Sequence, residues 1–163
     1  MYINDLLEVV SNIVKLFADD TKIYRVISSP EDSGSLQTDI DSLQDWSSTW
    51  LLKFNASKCK CMNLGKNNDK HQYAMGSKAI ENVKNEKDVG VSFDSELKFN
   101  EHISLKVKKA NQAIGMIRNT FTCMDPNIFI PLYKSYVRPH LEYASVIWSP
   151  TYIKDIVNIE NVW

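Results

Sequence analysis

The chain has 163 residues, with 19 Lys plus Arg against 20 Asp plus Glu, a formal net charge of −1, 44% apolar and 24% charged residues. That composition excludes whole-chain disorder, and the lack of any run of about 18 apolar residues excludes a helical membrane span. Met1-Tyr2-Ile3-Asn4-Asp5 lacks the basic and apolar regions of a secretory leader, and three cysteines (Cys59, Cys61, Cys123) cannot close a disulfide set and suit a reducing, intracellular setting, cytoplasmic or nuclear.

Ile3, Leu6, Leu7 and Val10 lie on one side of a helix over residues 2–10. Ile13 to Ala18 reads as a buried strand, and Thr21 to Ile27 as a second strand with partial alternation and β-branched residues. Only Asp19 and Asp20 separate them, which predicts a hairpin with those two residues as its tip. Asp-Asp is not a favoured tip dipeptide, and a turn that breaks a local rule invites a functional explanation. Residues 28–35 read as a polar loop. Leu36, Ile40, Leu43, Trp46, Trp50 and Leu51 then recur at helical spacing, with Ser33 or Ser35 as cap and an end near Lys53-Phe54-Asn55. A short β-meander comes next, with Cys59 and Cys61 on its first strand, a turn over 65–70, and strands near Tyr73–Met75, Ala79-Ile80 and Val89–Phe93.

From Asn100 the pattern is helical. Ile103, Val107, Ala110, Ile114, Ile117 and Phe121 form one face, with Lys106, Lys108, Lys109 and Arg118 mainly elsewhere. Asp125-Pro126 marks a helix start, with Asp as N-cap and Pro in the first turn. Pro131 and Arg138-Pro139 kink or interrupt that helix, and 141–148 and 153–162 are further helices. The predicted fold class is α+β, with mixed structure over 1–96 and a helical region over 97–163. Charge keeps to that order: residues 1–56 hold four bases and nine acids, the rest fifteen bases and eleven acids.

The sharpest chemical feature is Asp19-Asp20. Adjacent carboxylates repel, so stability alone gives no reason to place them at a hairpin tip. A bound divalent ion removes the repulsion, and carboxylate oxygens suit Mg²⁺, which takes one or two protein carboxylates together with water and substrate phosphate. Two such ions stabilise the attacking and leaving oxygens of a phosphoryl transfer. On pattern alone, an exposed acidic turn is the simpler reading.

Residues 13–24, Ile-Val-Lys-Leu-Phe-Ala-Asp-Asp-Thr-Lys-Ile-Tyr, resemble the catalytic hairpin of reverse transcriptases, most closely those of non-LTR, jockey-like retrotransposons. Further stretches agree in the family's order. They are Tyr2-Ile3-Asn4-Asp5-Leu6; Trp46 to Trp50 with Leu52, Phe54-Asn55 and Lys58-Cys59-Lys60; Glu86 to Val91; Leu97-Lys98-Phe99 with His102-Ile103; Ala110-Asn111-Gln112 with Gly115; Leu132-Tyr133-Lys134; Val137 to Tyr143; and Trp148-Ser149-Pro150. The resemblance covers nearly the whole chain. It implies a partial palm (catalytic hairpin, packing helix and short meander, residues 1–96) and then a helical, thumb-like region (97–163).

It also implies roles. Asp19 matches the carboxylate that binds the catalytic Mg²⁺ ions, Mn²⁺ being an alternative, and Asp20 matches its neighbour with a less direct part. Lys58 matches a palm-loop lysine that assists departure of pyrophosphate. Val89-Gly90-Val91 falls near the hairpin that holds the primer strand. Lys106, Lys108, Lys109 and Arg118 suit electrostatic contacts to the template–primer backbone. The implied partners are an RNA template, a DNA primer and a dNTP, with no membrane. The family's first catalytic strand, with its own metal-binding Asp, its Gln-Gly loop and its fingers all precede the hairpin and are not expected within this chain. Asp5 and Glu8 sit on a helix and do not replace them. The isolated chain is therefore expected to lack autonomous polymerase activity, to expose a sheet edge and to self-associate through it. The alternative is a non-catalytic nucleic-acid-binding or inert remnant of a decayed element.

Other signals are weaker. Cys59-x-Cys61 lacks the paired spacing and further ligands of a zinc site and reads as alternating buried thiols. His71 reads as solvated, and His102 and His140 as packing or hydrogen-bonding groups. Trp46 and Trp50 read as core by helical spacing.

Overall fold

The computed structural model describes residues 2–65, 68, 70–121 and 125–162, the side chains of residues 2–4 excepted. Two units divide the chain, one running to Lys84 and the second from Asn85. Mixed helix and strand make it an α+β protein.

The first unit opens with a 3-10 helix over Tyr2–Glu8 and the antiparallel pair β1 (Ile13–Phe17) and β2 (Asp20–Tyr24). Its ladder runs from Ile13 opposite Tyr24 to Phe17 opposite Asp20. The two-residue tip is therefore Ala18-Asp19, one residue earlier than the sequence suggested. Asp20 is the first residue of a strand. Ala18 takes positive φ (53°), the sign that primed hairpin tips require because their twist matches that of the strands. β1 is only half buried. Val14 and Leu16 turn inward, and Ile13, Lys15 and Phe17 outward, so the expected buried strand is one face of a two-stranded sheet.

Helix α1 spans Pro30–Thr49, starting six residues before the apolar periodicity. Ser29 is the N-cap and Pro30 sits in the first turn, where its fixed φ suits a helix and its missing N–H costs nothing. Asp32 reaches back to accept the backbone N–H groups of Ser28 and Ser29, both at 2.9 Å, and pairs with the Arg25 guanidinium at 2.7 Å. Ser33 and Ser35 are not the cap: Ser33 is buried within the helix, and the Ser35 hydroxyl accepts from Arg25 at 3.1 Å. The helix ends at Thr49, with Leu51 at positive φ (57°). This leaves Trp50 outside the core, 39% exposed, while Trp46 is 7% exposed.

Hydrogen bonds from the Ser28 backbone, then the Arg25 side chain, then the Ser29 backbone hold the Asp32 carboxyl at about 2, below its ordinary 3.8. A carboxyl depressed on folding adds stability above its unfolded pKa and loses it as pH falls. Helicity measured by circular dichroism is therefore expected to fall between pH 4 and 2, and Asp32→Asn to flatten that part of the titration. An unchanged acid limb in the variant would show that Asp32 is not its origin.

Leu43 and Trp46 of α1 pack on Leu6, with Val10, Val14, Leu16, Ile23 and Phe54 around them. Ile40 joins a second cluster with Tyr73, Met75 and Ile80, against which Leu36, Cys59 and Cys61 pack. Asp39, beside Ile40 on α1, is 2% exposed. Its carboxylate accepts the backbone N–H of Ser11 at 3.0 Å, and at 2.7 Å both the backbone N–H and the side-chain amide of Asn12. A buried carboxylate is tolerated only with such partners. Here it fixes the chain as it enters β1.

The expected meander is not formed. β3 (Lys60–Met62) pairs in parallel with β6 (Glu81–Val83), while β4 (Ala74–Met75) and β5 (Lys78–Ala79) make a separate short hairpin. The Gln37 side chain stands in for a partner strand of β4: its amide donates to the Ala74 carbonyl at 2.9 Å and its oxygen accepts the Ala74 N–H at 3.0 Å. Part of the expected turn over 65–70 lies outside the described residues.

The second unit begins with the hairpin β7 (Asn85–Asp88) and β8 (Val91–Asp94), ahead of the change of character that composition placed at 96–97. Helix α2 (Asn100–Thr120) buries Ile103, Ala110, Ala113, Ile114 and Ile117. Val91, Phe99, Ile103 and Trp148 form one cluster. Ala110, Ala113, Ile114, Ile117, Tyr133, Val137, Leu141 and Val162 form another.

Asp125 caps α3 (Pro126–Leu132), accepting the Asn127 N–H at 3.0 Å. The path then widens into a π-helical segment, Tyr133–Val137, before α4 (Arg138–Glu142). The Arg138 N–H reaches back five residues to the Tyr133 carbonyl. Prolines 131 and 139 flank this segment. The widened turn takes up the steric conflict that an interior proline creates with the preceding turn, so the expected interruption is a change of helix type. The short helices α5 (Ser145–Trp148) and α6 (Ile153–Glu160) complete the unit.

Candidate functional site

Two sets of residues carry candidate chemistry, one in each unit. In the first, Asp19 stands at the β1–β2 tip and Asp20 directly after it, both exposed. Asp20 is paired across the ladder with Phe17, itself 59% exposed. Neither carboxylate has a hydrogen-bond or ion-pair partner among the described residues. The outer face carries Ile13 and Tyr24 at one end, Phe17 and Asp20 at the other, and Lys15 opposite Lys22 between them. Ile13, Phe17 and Tyr24 leave about half of their surface in water beside the acidic tip.

Lys58 lies exposed in the turn after α1, where its own N–H donates to the Asn55 carbonyl at 2.9 Å. The Asn55 side chain closes the same turn by accepting from Ser57. Among the described residues, no hydrogen bond or ion pair joins Lys58 to Asp19 or Asp20. No group of three or more His, Cys, Asp or Glu side chains gathers there among the described residues either. Two adjacent carboxylates on one hairpin are a donor set that Mg²⁺ accepts when water and substrate phosphate complete its octahedron. They are fewer than a two-ion centre takes from its protein.

In the second unit the four basic residues of α2 separate. At about 100° per residue, Lys106 and Lys109 share one side, Lys108 turns to another and Arg118 to a third. Lys108 lines a groove of about 580 Å³ with Ser104, Val107, Asn111, Gln112 and Asn158. Arg118 borders a smaller one of about 400 Å³ with Pro126, Phe129 and Ile130.

Lys106 is half buried beside the apolar face rather than away from it, its ammonium 5.3 Å from the centre of the Tyr143 ring. Burial, then the neighbouring charges of Lys109 and Lys87, push its pKa down. His102, 2% exposed, accepts the Ser92 N–H on Nδ1 at 3.0 Å and lies 5.3 Å from the Trp148 ring. Burial, then the Lys106 charge, push its pKa down, so its place is that of a neutral ring tying β8 to α2.

Tyr143 was missed as a functional candidate. It ends α4, far in sequence from the turn its hydroxyl contacts at Val89. Only its aromatic type is visible in the sequence. Cys59 and Cys61 are free and half buried, with burial raising both thiol pKa values; Cys123 lies outside the described residues. His71 is exposed, edge-on to Tyr73 at 4.9 Å.

Comparison of the chain with family models, curated proteins and solved structures finds no match. No described helix is long and apolar enough to cross a membrane.

Proposed function

We propose that this chain supplies the catalytic hairpin and a thumb-like helix of an RNA-directed DNA polymerase of the non-LTR retrotransposon type. The observation that carries the reading is the pair Asp19, at the tip of a tight hairpin, and Asp20, the first residue of its second strand, both exposed and without partners among the described residues. Asp19, with Asp20 beside it, holds Mg²⁺ (or Mn²⁺), and the ion supplies charge stabilisation to the transferring phosphoryl group of a dNTP. Lys58 serves the departing pyrophosphate. Lys106, Lys108, Lys109 and Arg118 hold the backbone of an RNA template and DNA primer.

A two-ion centre draws carboxylates from more than one element. Polymerisation therefore needs a further carboxylate-bearing strand, and among the described residues no third strand pairs with the β1–β2 sheet. Unpaired sheet edges favour association between copies when no such strand is present.

Binding of a labelled RNA–DNA hybrid, measured by fluorescence anisotropy across a salt series, tests the reading. Affinity is expected to fall steeply with salt, with a log–log slope of about −3 for three or four phosphate contacts. No binding at about 50 mM salt, where phosphate contacts are strongest, would remove the nucleic-acid reading. A decayed, inert product would then remain.

A further inference from the structure

The β7–β8 hairpin turns through Val89 and Gly90, both at positive φ (42° and 80°). That geometry suits a hairpin, but a β-branched residue adopts it only under strain. Tyr143 holds the turn in place. Its hydroxyl donates to the Val89 carbonyl at 3.0 Å, and its ring lies so close to Gly90 that a Cβ there would meet Cε1 at 3.1 Å. The same ring lies under the Lys106 ammonium.

Lys87, on the strand entering the turn, stands opposite Ser92, whose N–H donates to His102 one helical turn before Lys106; Lys109 lies nearly one turn beyond Lys106, and both bring positive charge to bear on that ammonium. None of the three lysines has an ion-pair or hydrogen-bond partner among the described residues. The Asn85 side chain, at the start of the same strand, instead engages the nearby carboxylate of Glu101 at 2.7 Å. Three like charges converging from two elements oppose folding, and a bound anion reverses the sign of that interaction. An aromatic ring steadies one ammonium without neutralising it.

We infer that Lys87, Lys106 and Lys109 form a cradle for adjacent backbone phosphates of bound nucleic acid, with Tyr143 as the positioning residue that sets both Lys106 and the turn. The inference rests on the nucleic-acid reading above and deepens it. It adds Lys87 from outside the helix, and it leaves Lys108 and Arg118 to other contacts.

The test uses the full chain with a labelled RNA–DNA hybrid over a salt series, comparing Lys87→Gln, Lys109→Gln, Lys108→Gln and Tyr143→Phe, with circular dichroism confirming that each is folded. Lys87→Gln and Lys109→Gln are each expected to reduce the magnitude of the log–log salt slope by about 1. Tyr143→Phe, which removes no charge, is expected to weaken binding several-fold at an unchanged slope. A wild-type slope in Lys87→Gln overturns the cradle, and the wider reading stands if the wild-type chain still binds the hybrid. Absence of hybrid binding by the wild-type chain overturns both. Calorimetric titration with inorganic pyrophosphate separates the two phosphate sources. If Lys87→Gln abolishes pyrophosphate binding while the hybrid slope stays unchanged, the cradle takes free phosphate and the backbone assignment fails.

Discussion

In a complete polymerase carrying this hairpin, Asp19→Ala is expected to lower primer extension by at least about 100-fold, the scale of losing one preorganised electrostatic contact, while hybrid binding persists. The separation comes from where Asp19 sits. It occupies a hairpin tip, exposed and without partners among the described residues, so Ala removes charge and leaves the ladder from Ile13–Tyr24 to Phe17–Asp20 intact. Nucleic-acid contacts are assigned to lysines of the other unit, so the variant is expected to bind with an unchanged salt slope. Asp20→Ala is expected to have the smaller effect, because Asp20 belongs to the strand and has the less direct part. Extension by Asp19→Ala at the parent's rate would refute the assigned role, and loss of binding along with extension would point to a structural one.

The second large effect concerns stability. Trp148 is 1% exposed, packs with Val91, Phe99 and Ile103, and donates its indole N–H to the Tyr143 carbonyl at 2.7 Å. Trp148→Ala is expected to destabilise the second unit by about 3–5 kcal/mol through the cavity it leaves, with the Tyr143 carbonyl losing its donor as well. That is a large part of the roughly 5–15 kcal/mol by which whole domains are stable. Urea unfolding monitored by circular dichroism reads it. A midpoint shift below about 0.5 M, given slopes of about 1–3 kcal/mol per molar, would mean that Trp148 does not anchor this cluster.

Several elements were legible because local chemistry and tertiary packing agree. Asp125-Pro126 caps a helix where a helix is wanted, and Ile103, Ala110, Ile114 and Ile117 recur at the spacing of the face that is buried. The readings that shifted did so where a long-range partner decided. Ser29-Pro30 looked like loop because the start of α1 is polar, yet Arg25 and the backbone of residues 28 and 29 hold Asp32 and begin the helix early. Register placed Asp20 in a strand, and a one-residue shift in a tip is invisible to alternation alone. Cys61 lies in a parallel pair, which requires a distant partner (Asn82) that no local pattern announces. Asp39 looked like any polar helix residue, since nothing near it in sequence hints at Ser11 and Asn12. Lys106 was placed with the other bases of α2 until Tyr143, from another helix, gave it a half-buried site of its own. The acidic hairpin tip was visible in sequence, and so were the four basic residues, but not which of them converge.

The π-helical segment 133–137 has a consequence for insertions and deletions. A turn closed between residues five apart holds one residue more than an α-turn, and five residues in the wider turn sweep nearly the same angle as four at the ordinary spacing of about 100° each. Removing an exposed residue such as Ser135 would let the helix close as an α-turn with the residues beyond it near their present phase. Leu141, 6% exposed within the core of the second unit, would still face Ala110 and Ile114. The same deletion within α2, which carries no such slack, would turn every later residue of that helix by about 100°. In-frame loss of a single residue is therefore a mild lesion in this segment and a severe one in the long regular helix beside it in the core.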